Sequence, residues 1–147
     1  SLSPDISPVK LRMARLLRRI VPRLAMSAGL DASGLSSDSN VVRDYLADPL
    51  VHGQVTVAMG AGMSDTILRT DGAAGKVVVP MFLLHCESYP LCRVAGSLAF
   101  YAGLLQAEQT GSAIRTYPDM LHEIFNEPDR EKVYADLLEW ILRVESL

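Results

Sequence analysis

Cysteine is scarce in these 147 residues: Cys86 and Cys92 are the only two. Two thiols make neither a disulfide framework nor a zinc pattern, so the expected compartment is a reducing cytoplasm and both thiols read as inert and partly buried. Long apolar runs are missing too. The longest, residues 77–84 (VVVPMFLL), has eight residues, far short of the roughly 20 that span a bilayer. No secretory leader is expected, because the first charged residue is acidic and no apolar stretch precedes Lys10. Positive charge is not in excess, and a net charge of −3 argues against nucleic acid as the main partner. The charge is unevenly spread. Lys10, Arg12, Arg15, Arg18, Arg19 and Arg23 make the start basic, while the stretch from Asp119 onward is acidic.

What is present is enough apolar residue, 49%, for one ordinary globular domain. Val9, Met13, Leu16, Leu17, Ile20 and Leu24 keep helical spacing, with arginines on the other side, so residues 8–25 read as an amphipathic helix. Pro22 should kink or end it near Val21. Residues 28–40 are loop by their Gly, Ser and Asp content. Ser39 is placed to cap a short helix over 41–47, stopped before Asp48-Pro49. A third helix spans 55–68, weakened by Gly60 and Gly62, and Asp71-Gly72 and Gly75 punctuate after it.

The character changes at Lys76. Residues 77–84 are rich in β-branched residues and lack polar alternation, which suits a strand buried on both faces of a parallel sheet. Pro80 limits its pairing to about 81–85. Gly96 or Ser97 is placed to cap a helix to about Gln106, with Tyr101, Leu104 and Leu105 inward. Residues 113–117 form a second strand, and Pro128 opens a last helix whose apolar face is Val133, Leu137, Leu138, Ile141 and Val144. The second half is therefore strand–helix–strand–helix, a crossover unit that is right-handed by rule. Two parallel strands make no self-sufficient sheet, so the chain reads as the back half of a larger fold; Ser rather than Met at position 1 fits that expectation.

Both predicted strands open into loops rich in ionisable groups. Parallel strands deliver such loops to one sheet edge, where sites gather, so His122 is expected beside residues 86–93. From the residues alone, His122 is either a general base or a loop histidine held by backbone hydrogen bonds. Glu87 is either its orienting acid or a solvated carboxylate, and Asp119 either joins them or stabilises the turn after Pro118. His52 lines a channel or is structural, and Met13, Met26, Met59 and Met63 belong to a core or to an acyl-chain lining.

The order of helices, VPMFLLH, a Gly-Ser helix, IRTYP and HEIFNEPDREKVYADLLEWI resembles the C-terminal half of α/β-hydrolases of the monoacylglycerol lipase and lysophospholipase group. DPLVHG at 48–53 is similar to that family's cap segment. The resemblance implies a partial α/β-hydrolase fold, with a helical cap over residues 1–75 and the last core strands over 76–147. It also implies serine-hydrolase chemistry on a lipid or small ester, with no metal or cofactor, and puts the family's catalytic histidine on His122. The family's nucleophile sits in G-x-S-x-G, a pattern absent from these 147 residues; GAGMS at 60–64 is not one. The loop after the first core strand is HG-x-A-D in the family and His85-Cys86-Glu87-Ser88-Tyr89 here. Tyr89 thus stands at the acid position, with Glu87 a weak substitute. Tyrosine, with a reference pKa near 10, is no carboxylate at neutral pH. The basic helix face either meets an anionic lipid surface or is simply solvated, and an exposed sheet edge invites self-association.

Overall fold

The computed structural model describes residues 8–70, 72–107 and 110–146. The Lys10 side chain of the basic face and Asp71 of the expected turn lie outside the described residues. The first helix, α1, runs Pro8–Ile20, and Pro22 ends it as expected, since its ring cannot continue the helical hydrogen-bond ladder. The helical spacing that reaches Leu24 is not used. Residues 25–27 instead form a short strand, β1 (Ala25–Ser27), antiparallel to β2 (Gln54–Thr56) with Met26 opposite Val55. Three-residue strands carry no periodicity to read, and β1 is exposed throughout. Between them α2 spans Ser39–Ala47. Its cap is Asp38 rather than Ser39, because the Asp38 carboxylate accepts from the Asn40 amide at 2.9 Å and brings charge to the positive helix end. The β1–β2 ladder folds α1 back onto α3 (Val57–Thr70).

β3 (Phe82–Cys86) and β4 (Ala113–Tyr117) pair in parallel, Phe82 opposite Ala113 through Cys86 opposite Tyr117. The strand begins only after Pro80, which can donate nothing to a ladder. α4 (Val94–Gln106) connects the strands and α5 (Arg130–Glu145) follows. Neither Gly96 nor Ser97 caps α4. Arg93 holds the cap position, and the Ser97 hydroxyl is committed to His85.

α5 is fastened to the sheet through its middle turns. Trp140 stacks on Phe82 with ring centroids 5.3 Å apart and donates its indole N–H to the Gly111 carbonyl at 2.7 Å. Tyr117 donates its hydroxyl to Asp136 at 2.8 Å. Val133 and Leu104 are fully buried, as their spacing predicts, whereas Leu105, Leu138 and Ile141 are exposed. The expected apolar faces are thus only half covered by these residues.

The buried cluster lies at the end of the sheet, not beneath its middle: Cys86, Tyr89, Tyr117, Met120, Ile124 and Val133. Total accessible surface is 10070 Å², against about 7,400 Å² expected for a monomer of this mass. No helix among the described residues is long and apolar enough to cross a membrane.

Candidate functional site

Because β3 and β4 are parallel and in register, both chains leave the sheet at one edge, Cys86 beside Tyr117. The departing loops are then stitched together. The Glu87 amide donates to the Tyr117 carbonyl at 3.0 Å and the Ser88 amide to that of Met120 at 3.3 Å. The Ser88 hydroxyl donates to the Pro118 carbonyl. This backbone pairing turns Tyr89 inward, where it is buried, and carries the β4 loop across it. The rings of Tyr89 and His122 meet with centroids 4.5 Å apart, tilted by 36°. His122 keeps an exposed side.

The first half of the chain closes the other flank. The His122 amide donates to the Gly34 carbonyl at 3.2 Å and the Glu123 amide to that of Leu35 at 2.7 Å. A Cβ on Gly34 would stand 2.8 Å from Cε2 of Tyr89, closer than real contacts allow. Gly34, Tyr89 and His122 are therefore layered, and only a residue without a side chain fits the outer layer.

A residue that sequence reasoning missed holds this arrangement. Glu127 is almost fully buried, 2% exposed, and its carboxylate accepts from the Ser37 amide at 2.9 Å, from the Ser37 hydroxyl and from the Leu121 amide at 3.2 Å. Ser36, also buried, donates to the Asn126 carbonyl at 3.0 Å. One buried carboxylate thus ties the loop bearing His122 to Ser37, as a buried charge requires partners. The signal was a glutamate inside the distinctive IFNEP stretch, where Pro128 ends local options for the backbone.

Burial, reinforced by the nearby thiols and acids, raises the Tyr89 hydroxyl above its ordinary value. The phenol is therefore neutral at physiological pH and brings no negative charge to His122. Glu87 and Asp119 are exposed, and among the described residues no hydrogen bond joins either of them to His122. The Asp119 side chain does not tie the turn either: the turn closes from the Met120 amide to the Tyr117 carbonyl, with the Ser88 hydroxyl on the Pro118 carbonyl. Ser64 spends its hydroxyl on the Gly60 carbonyl, so neither it nor Ser88 is poised against His122.

His85 is structural. Its Nε2 lies 2.9 Å from the Cys92 carbonyl, which only accepts, so Nε2 donates there, and Nδ1 pairs with the Ser97 hydroxyl at 2.9 Å. His52 is exposed. Met13, Met26, Met59 and Met63 are all more than half exposed, which corrects the core reading and leaves the lining one. Burial raises both thiols, Cys86 and Cys92, so little reactive thiolate forms at neutral pH. Among the described residues no three His, Cys, Asp or Glu side chains gather as a metal site would need.

Residues 1–129 match the serine aminopeptidase S33 family of hydrolases. A monoacylglycerol lipase from Mycolicibacterium smegmatis is 29% identical over 138 residues, which is 93% of this chain and 48% of that protein. The crystal structure of a monoacylglycerol lipase from Paleococcus ferrophilus superimposes with a TM-score of 0.84 at 28% identity, covering 96% of this chain and 54% of that one. A soluble variant of monoglyceride lipase from Saccharomyces cerevisiae shares the fold at a TM-score of 0.71 and 20% identity, over 92% of this chain and 49% of that one. The chain spans about half the length of the relatives it matches. It belongs to the serine aminopeptidase S33 family and carries a partial α/β-hydrolase fold of the monoacylglycerol lipase group.

Proposed function

We propose that this chain supplies the cap and the histidine-bearing edge of a serine ester hydrolase acting on monoacylglycerols or lysophospholipids. In this reading residues 1–75 are the cap and residues 76–147 the end of the core. His122 takes the proton from a serine hydroxyl and returns it to the leaving alcohol. That serine belongs to a nucleophile elbow these 147 residues do not contain. Tyr89 occupies the place of the orienting acid and, being neutral, cannot stabilise the imidazolium by charge. Loss of that charge costs about 10⁴ in turnover in a tested serine protease. These residues therefore hydrolyse no ester by themselves. The observation carrying this reading is the Tyr89–His122 ring contact at the common end of two parallel strands. The names of the relatives motivate the substrate class, and a reducing cytoplasm suits the two free thiols.

The test is a chimera in which this chain replaces the matching half of the Paleococcus ferrophilus lipase. With Tyr89 in place it should turn over a monoacylglycerol at background. Tyr89→Asp should raise the rate by about 10³–10⁴, and His122→Ala added to it should abolish the gain. A folded chimera left unchanged by Tyr89→Asp would remove Tyr89 from the acid position. The 147 residues alone, carrying Tyr89→Asp, should remain inactive and unlabelled by a fluorophosphonate. Labelling at Ser64 or Ser88 would relocate the nucleophile.

The neutral phenol against His122 also favours a second reading, a hydrolase-like protein that binds lipid without cleaving it. Background turnover combined with saturable binding of a monoacylglycerol ether would select it. In either reading the basic helix α1 touches a membrane surface.

A further inference from the structure

α1 has two neighbouring faces. Val9, Met13, Leu16 and Ile20 form one stripe, each residue more than half exposed, and Arg12, Arg15 and Arg19 form the next at helical spacing. Arginines of α1 reach across to α3. Arg15 donates from Nε and Nη2 to one Asp65 oxygen at 2.9 and 2.6 Å, and Arg18 reaches the other at 3.2 Å. Arg69 stands one turn beyond Asp65 on α3.

Together these five guanidinium groups and the one carboxylate line an open hollow of about 590 Å³. Five cations against one anion leave four positive charges, and both Asp65 oxygens are already taken. Arg12, Arg19 and Arg69 form no ion pair among the described residues. Such a wall is short of negative charge, and guanidinium forks match phosphate oxygens in pairs. The remaining lining is apolar, Leu16 and Leu68, and the exposed stripe of α1 begins at Leu16. A helix with an apolar stripe beside a cationic one lies in a lipid interface, with its charges among the headgroups. That geometry favours a phosphate carried on acyl chains over a free one.

We propose that the hollow between α1 and α3 binds the phosphate of an anionic phospholipid headgroup while the apolar stripe of α1 rests among the acyl chains. This rests on the membrane-contact part of the functional reading and narrows it to one site and one lipid class.

Sedimentation of the full chain with vesicles tests it, using phosphatidylcholine alone and phosphatidylcholine mixed with phosphatidylglycerol. The mixed vesicles should bind it far more tightly, with an affinity that falls as ionic strength rises. Arg12→Gln, Arg19→Gln and Arg69→Gln should each weaken that binding about fivefold, and about a hundredfold together. None of the three disturbs the Arg15–Asp65–Arg18 bridge, and circular dichroism melts should be unchanged. Arg43→Gln, outside the hollow, should have little effect. Equal binding to both vesicles overturns the phosphate site but leaves the membrane contact standing, whereas binding to neither overturns both. An Arg43 effect as large as those in the hollow overturns the site in favour of diffuse charge. If inorganic phosphate at millimolar concentration displaces the chain from mixed vesicles, the ligand is free phosphate and the headgroup assignment fails.

Discussion

Three residues, Gly34, Glu127 and His122, show how narrowly the sheet edge is set. Gly34 has room for a hydrogen and nothing more, since the nearest Tyr89 carbons would meet a Cβ at 2.8 and 3.1 Å. Gly34→Ala should force the Tyr89 ring toward His122 and cost about 1–3 kcal/mol, the usual penalty of overpacking, read as a lower melting temperature. Glu127→Gln keeps the shape but removes the charge that three donors share. It should destabilise by about 1–3 kcal/mol and shift the His122 ring resonances, because the loop on which His122 rides would lose its tie to Ser37. His122 itself was legible at once, as the histidine in HEIFNEP. The ring meeting it could be inferred only through the resemblance, and the burial of Glu127 not at all, because two of its three donors belong to Ser37, 90 positions away.

Among the elements, α1 has its ion pairs to α3 through a single carboxylate, Asp65. The hydrogen bond from Arg15 comes first in holding the Asp65 carboxyl below its ordinary value. A lowered folded-state value means that the contribution is present above the ordinary Asp pKa of about 3.9 and is lost as pH falls through the folded one. Packing of α1 on α3 should therefore loosen only in acid, and Asp65→Asn should remove that dependence while weakening α1 at neutral pH, seen as faster amide exchange in α1. At the other end, burial and the Asp136 bond raise the Tyr117 hydroxyl. Here the sign reverses. Stability is intact below the unfolded value of about 10 and falls as pH climbs above it, since only the unfolded chain then ionises. Tyr117→Phe should flatten that alkaline loss and cost about 1–2 kcal/mol at neutral pH, measured by denaturant titrations. Five helices and both longer strands were readable from periodicity and from Pro22, Pro80 and Pro128. The caps were misjudged, because Asp38 and Arg93 sit one position or more before the residues whose chemistry suggested capping.

At the scale of the molecule, the surplus of accessible surface and the exposed Leu105, Leu138 and Ile141 leave a two-stranded sheet with apolar faces half covered. Such a sheet has open edges on β3 and β4, and unpaired strands recruit partners. The 147 residues expressed alone should run larger than a monomer in size-exclusion chromatography, with association rising with concentration. A monodisperse monomer with a sharp, cooperative melt would show that the parallel unit suffices by itself, and the surface argument would fail.

By itself the sequence determined the element types and their order, the parallel sense of the second half and the presence of a histidine at a loop mouth. Those properties are local: side-chain period, proline placement and chain order decide them within a few residues. Only the tertiary structure decided which groups meet. That Tyr89 rather than Glu87 lies on His122, that Gly34 covers Tyr89, that Glu127 ties the loop down and that Arg15 and Arg18 share Asp65 all follow from contacts across distant parts of the chain. Such contacts are set by packing and by the need of each buried polar group for a partner, and neither leaves a mark in residue spacing.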